Sequence, residues 1–533
     1  MKIHLLNYIT IQDLNDDLRL ALFDKLGSIA KKKDNILPYP EFYGLIRKAN
    51  EEQREILFHT IHHLISNEPM QKPLLIYLTG PAGSGKTFVI KALMEIYNRF
   101  SDTDGIFNAY IACASTGKAA TAIGGTTVHN ALCISLSRLL PLNIEKAHQY
   151  RALFEFIKVI IIDEVSMVSA ELLEQINERL KQITDLFTTD FGGLDVILIG
   201  DLRQLPPVKA TPIFKQIKKK ITGESIWRKF HQFEQKKVMR QENRLFSTIL
   251  TKIGDGFILT EEELNMIESR FVTKEHTQSE CPEGTRLMFM NNKVNEYNIT
   301  ILNSFENKIV SLASDVFVGC HNAEQENFVR QKLHKMKSDE TGGLPYELVL
   351  VPNRPYMITI NIDVADGLSN GTVGKLLLIE YDKYDKITRL WFKFSKSIGQ
   401  KRATKFKSDI AGLKINKDAV PISLQSSSIP LNKKKTIVAK RKHFPLISAL
   451  AMTIPKSQGG TFDAIVYEYN RSHSRELAYV ALSRVTSIEG LFLVTEENAR
   501  ASWKFYHGRV GNAQVEDSNA TKNQKRSTTH RED

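Results

Sequence analysis

Residues 80–87 read GPAGSGKT, and no other stretch narrows the possible folds as much. A short apolar run, residues 74–79, leads directly into it, and a helical pattern, residues 87–99, leads out. A glycine-rich turn between a strand and a helix lets successive backbone N–H groups close around phosphate oxygens. Gly80, Pro81, Ala82, Gly83, Ser84 and Gly85 form that turn. Lys86 would then reach the β- and γ-phosphates, and Thr87 would hold Mg²⁺. ATP and Mg²⁺ are therefore the expected cofactors.

The strand–helix alternation continues past this turn. Residues 109–114, 156–162 and 194–199 are short, nearly continuous apolar runs with helical segments between them. Buried parallel strands read this way, and the pattern predicts a doubly wound α/β core. A second α/β set follows: strands at 285–290, 462–467 and 490–494, with helices at 291–305 and 476–485. Between its parts, residues 373–381 and 387–394 flank 382–386 as a β-hairpin. That span, 371–442, reads as a small all-β barrel inserted in the second domain. The expected boundaries are 1–45 (a helical extension with the run Lys31-Lys32-Lys33), 46–235, 236–370, 371–442, 443–505, and a disordered polar tail at 506–533. A helix over 50–67 carries Ile56, Leu57, Ile61 and Leu64 on one face.

The formal net charge is +12, which points to a polyanionic partner, most often nucleic acid. The four cysteines make no CxxC pair, so neither a zinc site nor a disulfide framework is expected. No apolar run reaches the ~18 residues of a membrane span. Asp13, Asp16 and Asp17 argue against a leader peptide, so an intracellular protein without a membrane partner is expected.

Two further strings supply chemistry. VIIIDE, residues 159–164, is an apolar strand ending in two acids at its carboxyl edge, where ligands bind in such sheets. Asp163 would bind Mg²⁺, and Glu164 would be the base that activates water. GDLRQLPPV, residues 200–208, also follows a strand, and its Gln204 would sense the γ-phosphate. Hydrolysis needs cations against the charge developing on the γ-phosphoryl group. Arg240 in VMRQ and Arg484 in ALSR are the candidates.

Taken in order, these strings resemble the Pif-one (petite integration frequency) family of superfamily-one DNA helicases, over about residues 50–494. The resemblance implies that Gln53 in NEEQ reads adenine. It implies that Ser115, Thr116, Thr127 and His129, in the segments 114–117 and 124–132, touch single-stranded DNA. Residues 171–193, ending in FGG, resemble the stretch that marks this branch, and MRQ at 239–241 the first arginine-finger motif. TGGLP at 341–345 and DGLSNGTVG at 366–374 resemble the lead-in to the barrel. KSQG, with Lys456, Ser457 and Gln458, resembles the motif that couples DNA to nucleotide, and AYVALSRV at 478–485 the second finger motif. One position departs: relatives usually have histidine before KSQG, and here it is Pro455.

The resemblance further implies two RecA-like domains with an SH3-like barrel, and a strand-splitting wedge near 133–156. It implies 5′-to-3′ movement on single-stranded and tailed duplex DNA, and roles in DNA repair, recombination and telomere maintenance. The oligomeric state is not legible in the sequence; a monomer is the expectation. Phe154 and Phe156 read either as stacking groups in the wedge or as core. The expected location is the nucleus, with mitochondrion or host cytoplasm as alternatives; Lys522 to Arg526 is a weak nuclear-localisation signal. Three alternatives share these motifs: a DNA-stimulated translocase that does not unwind, a DNA-binding scaffold with a degenerate ATPase, and a helicase module of a mobile element or virus. The runs Lys218-Lys219-Lys220, Lys433-Lys434-Lys435 and Lys440-Arg441-Lys442 read as phosphate tracks or as solvated faces.

Overall fold

The computed structural model describes residues 36–506, except 67–71, 102–106, 136–138, 218–223, 242, 337, 364–365, 396–397, 433–435 and 497–502. The N-terminal lysine run, the runs at 218–220 and 433–435, most of the N-terminal extension and nearly all of the tail lie outside the described residues. The chain divides into two compact units. One comprises residues up to 202, 206–238 and 292–451; the other comprises 203–205, 239–291 and 452 onward.

The first unit is built on a six-stranded parallel sheet. Its strands are β1 (Leu75–Thr79), β2 (Tyr110–Ala114), β3 (Thr126–Thr127), β4 (Val159–Asp163), β5 (Asp195–Gly200) and β6 (His231–Glu234), in the order β3-β2-β4-β5-β1-β6. The strands read as unbroken apolar runs because both faces are covered. Tyr77, Ile160, Ile162 and Leu198 enter one core, and Ile76, Leu78, Ile161 and Ile197 enter the other. The fourth strand begins at Val159, later than the apolar run that starts at 156. Phe154 belongs to the core and Phe156 packs against it, which favours the core reading for both.

The helix Glu51–Ile65 begins at Asn50 with a reciprocal cap: Gln53 N–H donates to Asn50 Oδ1 at 2.9 Å, and Asn50 N–H donates to Gln53 Oε1 at 3.1 Å. Lys86–Phe100 follows β1 directly, with Gly85 as its N-cap in the left-handed region.

The same unit contains a five-stranded antiparallel sheet, in the order Val420–Ser423, Ile387–Lys393, Val373–Tyr381, Pro355–Ile358, Leu446–Ser448. The expected hairpin across 382–386 is its centre, and the buried Trp391 sits in its core. The span read as all-β also contains two short helices, Gln400–Lys405 and Lys407–Leu413. The first is nucleated from outside: the Asp366 carboxylate accepts the N–H groups of Lys401 and Arg402 at 2.9 and 2.8 Å. No local sequence pattern announces that long-range cap.

The second unit has a four-stranded sheet in the order Ala451–Thr453, Thr285–Met288, Ile465–Glu468, Leu491–Val494. The pairs formed by Ile465–Glu468 with its two neighbours are parallel. Arg475–Leu482 and Arg244–Asp255 are its main apolar helices. No described helix is long and apolar enough to cross a membrane.

Candidate nucleotide and nucleic-acid site

The octapeptide at 80–87 forms the turn between β1 and the Lys86–Phe100 helix, as expected. Gly83 and Gly85 have φ of 86° and 90°, a region that favours glycine. The helix has no acid in its first turn, so its N-terminal N–H groups and dipole present a positive end to an anion. Lys86 Nζ folds back and donates to the carbonyls of Gly80 at 2.7 Å and Pro81 at 2.9 Å. Thr87 is exposed beside it. The side-chain nitrogen of Gln53 lies so close to this turn that a β-carbon on Gly85 would be 2.8 Å from it. Since Gln53 Oε1 is held by Asn50, its amide end is aimed at the turn.

At the carboxyl end of β4, Asp163 Oδ1 accepts the N–H of Glu164 at 2.8 Å. Glu164 has φ 56°, a strained conformation for a side chain of this kind. Burial and the neighbouring Glu164 carboxylate push the Asp163 carboxyl up to about 7, against the opposing pull of the Glu164 N–H and Lys86. Such a desolvated carboxyl suits a hard cation. Mg²⁺ takes one or two protein oxygens and completes its shell with phosphate and water, so Thr87 and Asp163 fit it.

The residues expected to touch DNA in this unit do structural work as well. Ser115 N–H donates to the Asp163 carbonyl at 3.4 Å, and Ser115 Oγ to the Glu164 carbonyl at 2.9 Å. The segment expected to contact a DNA strand is thus bonded to the backbone of the acidic pair. Thr116 and Thr127 accept the N–H groups of Ala119 and Asn130 as helix caps, at 3.2 and 3.3 Å. His129 is half-buried, and desolvation lowers its pKa. Thr121, one turn on, donates to Ser369 Oγ at 2.8 Å, which ties the 366–374 loop to the same face.

Gln204, Arg240, Arg484 and residues 456–458 belong to the second unit. Ser483 joins the two arginines: Arg240 Nη1 donates to its carbonyl at 3.0 Å, and Arg484 Nη2 to its hydroxyl at 2.8 Å. Arg484 is fully buried and also donates to the carbonyls of Val480 and Gly460, at 2.8 and 3.2 Å. Gln204 is buried at the turn after β5. Lys456 is exposed, whereas Ser457 and Gln458 are buried, and Ser457 Oγ donates to the Ile454 carbonyl at 2.7 Å. Pro455 falls in the first turn of the helix Ile454–Ser457, where no backbone donor is needed.

Sequence reasoning missed β6 and the residues around it. Glu52 accepts the N–H of Lys236 at 2.8 Å, fastening the end of β6 to the Gln53 helix. Gln235 is fully buried at that end. Gln235 stands in no motif, and within NEEQ only Gln53 was given a role.

Residues 48–264 match the family model described as PIF1-like helicase. The chain is 28% identical over 427 residues to the ATP-dependent DNA helicase PIF1 of Danio rerio, covering 78% of this chain and 58% of that protein. It is 26% identical over 459 residues to the ATP-dependent DNA helicase Pif1 of Campylobacter jejuni, covering 82% and 91%. In fold it is similar to the Pif1 helicase of Bacteroides solved with ADP-AlF3 and single-stranded DNA, at TM-score 0.61 and 23% identity, covering 89% of this chain and 97% of that one.

Proposed function

We propose that this chain is a PIF1-like helicase, an ATP-dependent DNA helicase moving 5′-to-3′ on single-stranded DNA. It spans 58% of the length of its zebrafish relative, so the activity is proposed for the region it shares. One observation carries the reading. The P-loop and the Asp163–Glu164 pair stand at the carboxyl ends of β1 and β4 of one parallel sheet, and the DNA-contact candidate Ser115 is bonded to that pair's backbone.

On this reading the phosphates of ATP sit on the helix N-terminus at Lys86, and Lys86 turns from its carbonyls to the β- and γ-phosphates. Mg²⁺ held by Thr87 and Asp163 supplies charge neutralisation when bound. Glu164 takes a proton from the attacking water, which Gln204 orients. Gln53 reads the adenine. Arg240 and Arg484 offset charge on the γ-phosphoryl group. Ser115, Thr116, Thr127 and His129, with Lys456, Ser457 and Gln458, hold the strand through phosphates and stacked bases. The antiparallel sheet centred on Trp391 is read as an SH3-like barrel. The working form is a monomer acting on single-stranded and tailed duplex DNA in the nucleus, in repair, recombination and telomere maintenance.

The test is unwinding of 5′-tailed against 3′-tailed duplexes, with and without ATP. ATP-dependent displacement on the 5′-tailed substrate alone is expected. DNA-stimulated hydrolysis without displacement would replace the reading with a translocase.

A further inference from the structure

Gln235 follows β6 directly. Its backbone N–H donates to the Thr79 carbonyl at 2.8 Å, so it stands beside the entrance of the P-loop. Its side chain is fully buried there. A β-carbon built on Gly80 would lie 2.9 Å from Gln235 Cβ, 2.8 Å from the Gln235 carbonyl oxygen and 2.7 Å from Ser84 Oγ. Only glycine at position 80 permits this approach.

Among the described residues, neither Gln235 Oε1 nor Nε2 has a hydrogen-bond partner, and neither does the buried Ser84 Oγ. Buried polar atoms are nearly always paired, and leaving one unmade is costly. Three such atoms border one turn. The same turn also has two carbonyls, Gly80 and Pro81, both on buried residues and both held by Lys86 Nζ. Phosphate binding draws Lys86 toward the anion and takes the donor away from those carbonyls. A spare amide donor is then buried in the side chain packed beside that turn.

We propose that Gln235 is a positioning residue of the nucleotide site. Its Nε2 donates to the P-loop carbonyls that Lys86 releases when phosphates bind, and its Oε1 accepts from the Ser84 hydroxyl. The polar cost of the empty loop thereby becomes a preference for the phosphate-bound loop. The proposal rests on the reading of residues 80–87 as a phosphate-binding turn, and it adds a residue that the turn's own sequence does not contain.

The test is Gln235→Met, which keeps the side chain's length and removes both polar atoms. Adenosine, ADP and ATP binding are measured with Mg²⁺ present, alongside the melting temperature without nucleotide. ADP and ATP affinity should fall about tenfold, the value of one hydrogen bond retained only in the bound state. Adenosine affinity should hold, and the nucleotide-free melting temperature should stay level or rise. Unchanged ADP affinity overturns the proposal. So does weaker ADP binding with a lower nucleotide-free melting temperature, because that marks a structural brace. Equal losses for adenosine and ADP also overturn it, since they place the defect at the base. Gln235→Leu gives the same comparison should methionine not be accommodated. If instead the wild-type protein fails to bind ATP, or Lys86→Ala binds it as tightly, the phosphate-binding reading itself falls.

Discussion

The Lys86 ammonium donates to the Gly80 carbonyl at 2.7 Å, so the cation proposed to grip phosphate is bonded to the turn's own backbone. Lys86→Ala should therefore behave asymmetrically. The fold loses little, about 1–2 kcal/mol for two partly buried bonds. Hydrolysis loses the charge that stabilises the transferring phosphoryl group, on the order of 10²–10³ in rate. Phosphate release stimulated by single-stranded DNA, measured beside a melting curve, checks both. Normal turnover in a folded variant would remove the P-loop from the mechanism.

Asp163 gives a pH dependence with a definite sign. Its carboxyl binds a proton more tightly in the folded chain, with a pKa raised from 3.8 to about 7. The stability it contributes is present below its ordinary pKa and lost as pH rises toward about 7. Without Mg²⁺, the melting temperature of wild type relative to Asp163→Asn should fall across that window. Metal binding needs the ionised carboxylate, so apparent Mg²⁺ affinity in the ATP complex should weaken by up to about tenfold per pH unit below 7. Titrations of Mg²⁺ at several pH values measure this, and a pH-independent wild type would contradict it.

What was legible in the sequence follows from burial. The strands β1, β4 and β5 are covered on both faces, so each is an unbroken apolar run that ends at its candidate site residues. The edge strand His231–Glu234 reads HQFE, with only Phe233 buried, and its pattern is too polar and short to announce a strand. Gln235 was invisible for that reason. The positive φ of Glu164 and the cap that Asp366 places on Lys401 and Arg402 are set by tertiary contacts, which no local pattern encodes. Gln53 was found through resemblance; its aim at Gly85 depends on Asn50 holding the other end of the amide.

The two arginines should separate experimentally. Arg240 is half-buried and donates to the Ser483 carbonyl, and its truncation should leave the fold intact. Turnover in Arg240→Ala should drop on the order of 10³ with nucleotide affinity retained, as for a finger. Arg484 has three donors engaged inside the second unit. Arg484→Ala should cost about 3 kcal/mol by leaving buried carbonyls unpaired, in addition to any loss of turnover. Rates normalised to the folded fraction decide the matter. Wild-type turnover per folded Arg484→Ala molecule would make that residue an internal anchor.

The proposed DNA contacts divide by charge. Desolvation keeps the His129 ring neutral near pH 7, so it offers a π-face and a neutral donor in place of a cation. His129→Ala should weaken binding of a short oligonucleotide by about 1 kcal/mol and leave the salt dependence unchanged. Lys456 is exposed and cationic. Lys456→Ala should shift the slope of log affinity against log salt by about 0.7, the release expected for one phosphate contact on a single strand. Fluorescence anisotropy across a salt series reads both. A changed slope for His129→Ala, or an unchanged one for Lys456→Ala, would exchange or remove the roles assigned to them.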